Sequence, residues 1–108
     1  EWLSGMDAFL SPVMSSPAPA LGRLFDPAVG FDEMFDRVVR LVAYTPIQNA
    51  LGLPAMSVPA GMSGSGLPIG SHFVAPAGRE DLLLSLAYEL EQARPWAGTW
   101  APVSIERL

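Results

Sequence analysis

Thr45-Pro46-Ile47-Gln48-Asn49-Ala50-Leu51-Gly52-Leu53-Pro54-Ala55-Met56-Ser57-Val58-Pro59-Ala60-Gly61-Met62-Ser63-Gly64-Ser65-Gly66-Leu67-Pro68-Ile69-Gly70-Ser71-His72-Phe73-Val74-Ala75-Pro76-Ala77-Gly78-Arg79-Glu80-Asp81 is the stretch that decides how this chain folds. Pro46 restricts Thr45 and interrupts any helix arriving from upstream. A short helical piece, Ile47 to Leu51, follows and stops at Gly52, which suits a left-handed C-terminal cap. Ala55 to Val58 is a strand bounded by Pro54 and Pro59, Gly61 to Gly66 is a flexible turn, and Ile69 to Val74 is the returning strand. The prolines at 54, 59 and 68 stand at strand ends, where a missing N–H does least harm to a ladder. Arg79-Glu80-Asp81 opens a further helix, with Leu82, Leu83, Leu86, Leu90 and Ala93 on its inward side, and Pro95 ends it.

Upstream, Asp7 to Val13 reads as a strand, with Ala8-Phe9-Leu10 as its apolar run and Pro12 closing its pairing. Ser15 to Pro27 holds three prolines and a glycine among small residues and is a loop. From Phe31 the period changes: Phe31, Met34, Phe35, Val38, Val39 and Val42 fall on one face of a helix, which is expected to be its buried face. Asp32, Glu33 and Asp36 lie in its early turns and Arg37 and Arg40 later, the order that the helix dipole favours. Trp96 to Leu108 shows no period and is expected to be irregular. The order is strand, loop, helix, short helix, strand, strand, helix: an α/β arrangement too thin to stand alone, but suited to one flank of a larger mixed sheet covered by helices.

Composition agrees with a flank. Only 16% of the 108 residues are charged, alongside 10 Gly and 11 Pro, which is greasy for a small independent surface and too apolar for a disordered tail. The net charge of −5, with the six cations all Arg and spread singly, offers nothing to neutralise phosphates, so no nucleic-acid partner is expected. No apolar run approaches the roughly 20 residues that span a bilayer. Cysteine is absent, which removes disulfides and thiolate metal sites and fits a reducing, cytoplasmic setting. Glu1 to Asp7 carries no basic segment and no initiating Met, and reads as a chain beginning in mid-domain.

Sites of chemistry are scarce. His72 is the only imidazole, and it falls within a strand, where it is a packed or surface residue rather than a base. Ser63 and Ser65 sit in the hairpin turn and lack the G-x-S-x-G elbow between strand and helix. Metal ligand spacing is missing. Asp32, Glu33, Asp36, Glu80 and Asp81 are explained as charges at helix starts, not as an acid/base pair. The Gly64-Ser65-Gly66 turn joins two strands and opens no helix, so it is no phosphate cradle. The remaining candidates are pocket walls: Tyr44, Thr45, Ile47 and Gln48 gather where Pro46 interrupts the helix, mixing polar and apolar side chains at one point. Asn49 is read as a residue bonding its own backbone.

The quoted stretch resembles the C-terminal portion of amidase signature enzymes: TP-x-x-N-x-x-G-x-PA-x-S-x-P-x-G, then G-x-PIG, VA, GRED and a leucine-rich helix. Asp7-Ala8-Phe9-Leu10-Ser11-Pro12 is similar to that family's D-x-x-L-x-P strand, so the resemblance covers nearly the whole chain. It implies the C-terminal flank of the amidase signature fold, residues 1–108 being a C-terminal segment of a single amidase domain. In that family a Lys and two Ser upstream of this region hydrolyse an amide to acid and amine; this chain has no Lys, so it is expected to be inactive by itself. The resemblance implies no cofactor and no metal. Its partners are the remainder of the polypeptide and a small-molecule amide, with no membrane and with room for a homodimer. It brings Tyr44, Thr45, Ile47 and Gln48 near the acyl pocket, while position 72 often carries a Gln-like residue in relatives. Glutamine-dependent members tend to carry an Asp five residues before the Pro46 position; Leu41 stands here, which favours a neutral or apolar acyl group. The other reading is a non-catalytic fragment or interaction module that folds alone.

Overall fold

A computed structural model of the chain describes Leu3 and residues 5–101. Its elements are β1 (Phe9–Pro12), α1 (Phe31–Leu41), α2 (Pro46–Leu51), β2 (Ala55–Met62), β3 (Pro68–Val74) and α3 (Glu80–Ala93). The α/β order expected from the sequence is the order found. The three strands form one antiparallel sheet in the order β1-β3-β2, so the last strand in sequence lies at the centre.

Two strands depart from their expected bounds. β1 is confined to Phe9–Pro12 and does not begin at Asp7. β2 runs on through Pro59 to Met62, where the sequence had Pro59 ending it. Two features permit this. β2 is an edge strand, so the missing Pro59 N–H breaks no bond on its open side. A bulge between Pro59 and Gly61, with Gly61 at φ 154°, also re-aims the strand, and Gly61 pairs with Ile69 beyond it. The turn is therefore tighter than Gly61 to Gly66. Ser63 N–H donates to Leu67 O at 2.8 Å, Gly66 N–H to Ser63 O at 2.9 Å, and the Ser63 hydroxyl accepts from Leu67 N–H at 3.0 Å. Ser63 and Ser65 are thus turn residues, bonded to each other at 2.9 Å.

Cross-strand pairs share a face, so the register fixes what each side of the sheet presents. Phe9, Val74 and Ala55 form one row, and Ser11, His72 and Ser57 form the next row on the same face. The opposite face carries Val58 and meets α3, whose Leu83 is the residue it buries. Leu82, Leu86 and Leu90 are half-buried, but Ala93, expected inward, is exposed.

Helices α1 and α2 follow from the break at Pro46. α1 ends at Leu41, and its C-terminal carbonyls are taken up by the loop after β1: Ser15 N–H donates to Leu41 O at 3.0 Å and the Ser15 hydroxyl to Arg40 O at 2.7 Å. Pro46 then opens α2 at its first turn, where its lost N–H needs no partner. Gly52 closes α2 in the left-handed conformation, φ 64° and ψ 30°, as its position predicted. The charges along α1 pair at i,i+4, Glu33 with Arg37 at 2.5 Å and Asp36 with Arg40 at 2.7 Å. Its apolar stripe is the main correction. None of its residues is buried, and Phe31 and Phe35 stack on each other at 6.0 Å, facing outward. The periodicity identified the helix but not a full cover for it: among the described residues Met34, Val38 and Val42 are half-buried, while Phe31, Phe35 and Val39 are left exposed.

The buried apolar core is correspondingly small: Leu3, Val58, Val74, Ala75 and Leu83. The accessible surface is 7978 Å², against roughly 5,800 Å² for a compact monomer of this size. Trp96 begins a turn, with Thr99 N–H donating to its carbonyl at 2.8 Å, so the irregular tail is as expected as far as Ala101. Its remainder, like Glu1, Trp2 and Ser4, lies outside the described residues. Among the described residues no helix is long and apolar enough to cross a membrane.

Candidate functional site

The break between α1 and α2 opens over the β1 edge of the sheet. A cavity of about 350 Å³ there is lined by Phe9, Ser11, Ala43, Tyr44, Ile47, Gln48 and Leu51. Three of the four residues singled out in the sequence, Tyr44, Ile47 and Gln48, come together in this wall. Thr45 does not line it; its contribution is its backbone carbonyl, which faces Gln48. Asn49 is exposed, and it is its main-chain carbonyl, not its side chain, that accepts from Gly52 N–H at 3.3 Å.

Gln48 is only 3% exposed, unusual for a side chain with four hydrogen-bonding positions. With its amide turned as its partners require, its nitrogen donates to Tyr44 O at 2.7 Å and to Thr45 O at 3.1 Å. Both carbonyls lie at the junction before α2, where Thr45 is the N-cap, so the Gln48 side chain ties itself to the break that Pro46 creates. Its amide hydrogens are thereby committed to the backbone.

The pattern in the sequence did not expose the second polar feature. Ser11 and His72 are 8% and 6% exposed and lie opposite each other in the β1–β3 register. Ser11 Oγ and His72 Nδ1 are 3.1 Å apart in a buried hydrogen bond, and the Ser11 hydroxyl also lies 3.2 Å from Pro12 O. Burial pushes the His72 imidazole below its ordinary value, which favours the neutral ring. Position 72 is thus a packed strand histidine, one of the two readings the sequence offered. Its partner in β1 became visible only with the register. Gly70, two residues before His72, is close-packed: a Cβ there would come within 2.8 Å of both Ser57 Oγ and Val13 Cγ2.

Carboxylates do not converge here. Among the described residues there is no group of three or more His, Asp or Glu placed to hold a metal ion. Asp81 pairs with Arg79 at 3.1 Å, and that bond lowers its carboxyl below the usual range, but both groups are solvent-exposed at the start of α3. A larger cavity, about 590 Å³, lies between the hairpin and the segment after α3, lined among others by Met62, Leu67, Arg94, Trp96 and Trp100. The Arg94 guanidinium donates to Ala60 O at 2.7 Å and so ties the end of α3 to the bulge in β2.

The family model described as Amidase matches residues 1–84, and the chain belongs to that family. AmiC of Mycobacterium tuberculosis (strain ATCC 25618 / H37Rv), named as a candidate amidase, is 44% identical over 96 residues, a match covering 89% of this chain and 20% of that protein. The 6-aminohexanoate-cyclic-dimer hydrolase of Paenarthrobacter ureafaciens is 40% identical over 101 residues, covering 88% of this chain and 20% of the other. A solved structure of a 6-aminohexanoate cyclic dimer hydrolase superposes with a TM-score of 0.79 at 37% identity, over 88% of this chain and 21% of that one. The chain therefore spans about a fifth of the length of the relatives it matches. Its small core and bare α1 stripe are those of a partial fold.

Proposed function

We propose that residues 1–108 are the C-terminal segment of a single amidase domain that hydrolyses a carboxylic amide to an acid and an amine. The observation that carries this reading is the superposition on a cyclic amide hydrolase over nearly all of this chain but a fifth of the hydrolase. In this reading the reacting groups, a Lys and two Ser, lie in the rest of the polypeptide, and the chain alone is inactive. Its absence of Lys supports that division.

The segment's role is to supply sheet and pocket wall. Tyr44, Ile47 and Gln48, with the Thr45 carbonyl behind them, form one side of the acyl pocket; the 350 Å³ cavity they line supports the assignment. The wall is mostly apolar, which with Leu41 favours a neutral or apolar acyl group over free glutamine. Two relatives are named for a cyclic amide, so linear and cyclic amides both belong in the substrate class. A cytoplasmic enzyme without a cofactor, its metal-free site completed within one polypeptide or a homodimer of it, completes the reading.

The test is to assay the longer polypeptide and the isolated 108-residue chain against a panel of neutral aliphatic, aromatic and cyclic amides and glutamine. Amide hydrolysis by the longer protein, with none by the isolated chain, is expected. An isolated chain that unfolds cooperatively as a monomer in a sample containing no longer species would favour the self-folding interaction module instead. Preference for glutamine as ammonia donor would overturn the Leu41 argument.

A further inference from the structure

The Ser11–His72 pair is the buried side-chain-to-side-chain hydrogen bond among the described residues, and one of its members lines the cavity. Ser11 lies on the same sheet face as Phe9, which lines the cavity with it.

The proton count on Ser11 comes out the same for either tautomer of His72. If Nδ1 is bare, the Ser11 hydroxyl donates to it, and both oxygen lone pairs are left. If Nδ1 carries the proton, it donates to Ser11 Oγ and the hydroxyl hydrogen turns to Pro12 O at 3.2 Å, leaving one lone pair. Either way Ser11 keeps an acceptor and has no hydrogen to spare. Gln48 has its amide hydrogens on Tyr44 O and Thr45 O. The Tyr44 hydroxyl can rotate to serve as donor or acceptor, whereas Ser11 is held by its partners in one role. The cavity thus combines an apolar wall (Phe9, Ala43, Ile47, Leu51) with fixed acceptors, Ser11 Oγ on the sheet side and the Gln48 carbonyl oxygen on the helix side, of which Ser11 is the one held by a buried side-chain partner.

We propose that Ser11 is a specificity-determining residue that accepts a hydrogen bond from an N–H or O–H group on the acyl portion of the substrate, and that His72 is the positioning residue that holds it. The inference rests on the amidase reading and narrows it to amides whose mainly apolar acyl group carries a donor away from the scissile bond. A buried acceptor left without its donor loses a hydrogen bond, so the site discriminates against the analogue with a methyl group in that place.

The experiment uses the longer polypeptide and a series of primary alkanamides of increasing length, each paired with its ω-hydroxy analogue of equal heavy-atom count. At the length that brings the hydroxyl to Ser11, the hydroxy member is expected to be preferred about five-fold in kcat/KM, mainly through KM. Ser11→Ala is expected to collapse that ratio to about one, and Ser11→Thr to retain it. His72→Gln, which can still bond the Ser11 oxygen, is expected to keep the ratio, and His72→Phe to lose it. A ratio that survives Ser11→Ala, or a loss shared equally by both members of each pair, overturns this inference while the amidase reading stands. A wild-type protein that hydrolyses no amide of any kind overturns the amidase reading, and this inference with it.

Discussion

Helix α1 carries the cleanest apolar stripe in the chain and buries none of its residues, while β3, whose sequence mixes Gly, Ser and His, buries His72 and Val74 at the centre of the sheet. The difference shows what periodicity measures. A stripe at helical spacing reports that a helix forms and which side seeks cover. Burial needs a partner surface, and β3 has one on each edge because β1 and β2 both pair with it. Among the described residues, α1 is tied by hydrogen bonds to the loop after β1, through Ser15 and through Arg37, which donates to Arg23 O at 2.9 Å. Phe31, Phe35 and Val39 stay in solvent. On the proposed reading of the chain as one segment of a longer domain, the exposed part of the stripe is the face toward the rest of that domain.

A charge placed in the stripe tests whether α1 is covered in the longer polypeptide. Phe35→Asp in the longer polypeptide should cost about 3–5 kcal/mol, the range for losing a buried phenyl group, read as a shift in the urea midpoint at constant slope. A change below about 0.5 kcal/mol, typical of a surface site, would mean that α1 remains uncovered there and that its stripe has another purpose. On the sheet side, Val74 is 0% exposed, so Val74→Ala should cost about 2–3 kcal/mol through lost burial and the cavity left behind. Of similar kind but smaller is Gly70→Ala. Its Cβ would meet Ser57 Oγ and Val13 Cγ2 at 2.8 Å, and about 1–3 kcal/mol of overpacking is expected unless Ser57, an exposed side chain, rotates away. Pairing Gly70→Ala with Ser57→Gly removes one of the two contacts and pairing it with Val13→Ala the other, so each should recover part of that loss, and the pairing that recovers more locates the strain.

Much of the architecture was legible because local rules settle it. Pro46 and Gly52 delimit α2, the Gly-Ser run makes the hairpin, and the leucines of α3 find the sheet. Tyr44, Ile47 and Gln48 could be placed near a cavity for the same reason, since a broken helix exposes mixed side chains at one point. Ser11 could not. Its meaning depends on facing His72, 61 residues away, and a one-residue slip of β1 would have turned it to the other side of the sheet. The end of β2 was misjudged because a proline is informative only once the strand is known to lie at an edge. Thr45 is absent from the lining of that cavity, and its carbonyl contact with Gln48 is a feature the pattern does not carry.

The least energetic prediction tests whether the centre of the sheet is as dry as the comparison requires. His72 is lowered from its ordinary value by burial, so the unfolded chain binds a proton at that position before the folded chain does. Stability then rises with pH wherever the unfolded state holds the extra proton. The contribution of the neutral ring is complete above about pH 6.5, the unfolded value, and is lost progressively as the pH falls from there through the lower folded value. Replacing His72 with Gln removes the titrating group while keeping a polar partner for Ser11. The difference in melting temperature between His72→Gln and wild type should therefore shift in favour of the variant below about pH 6 and be flat above about pH 7. A difference that stays flat across the whole range would mean that the folded imidazole titrates like a solvated one, and that water reaches the Ser11–His72 pair.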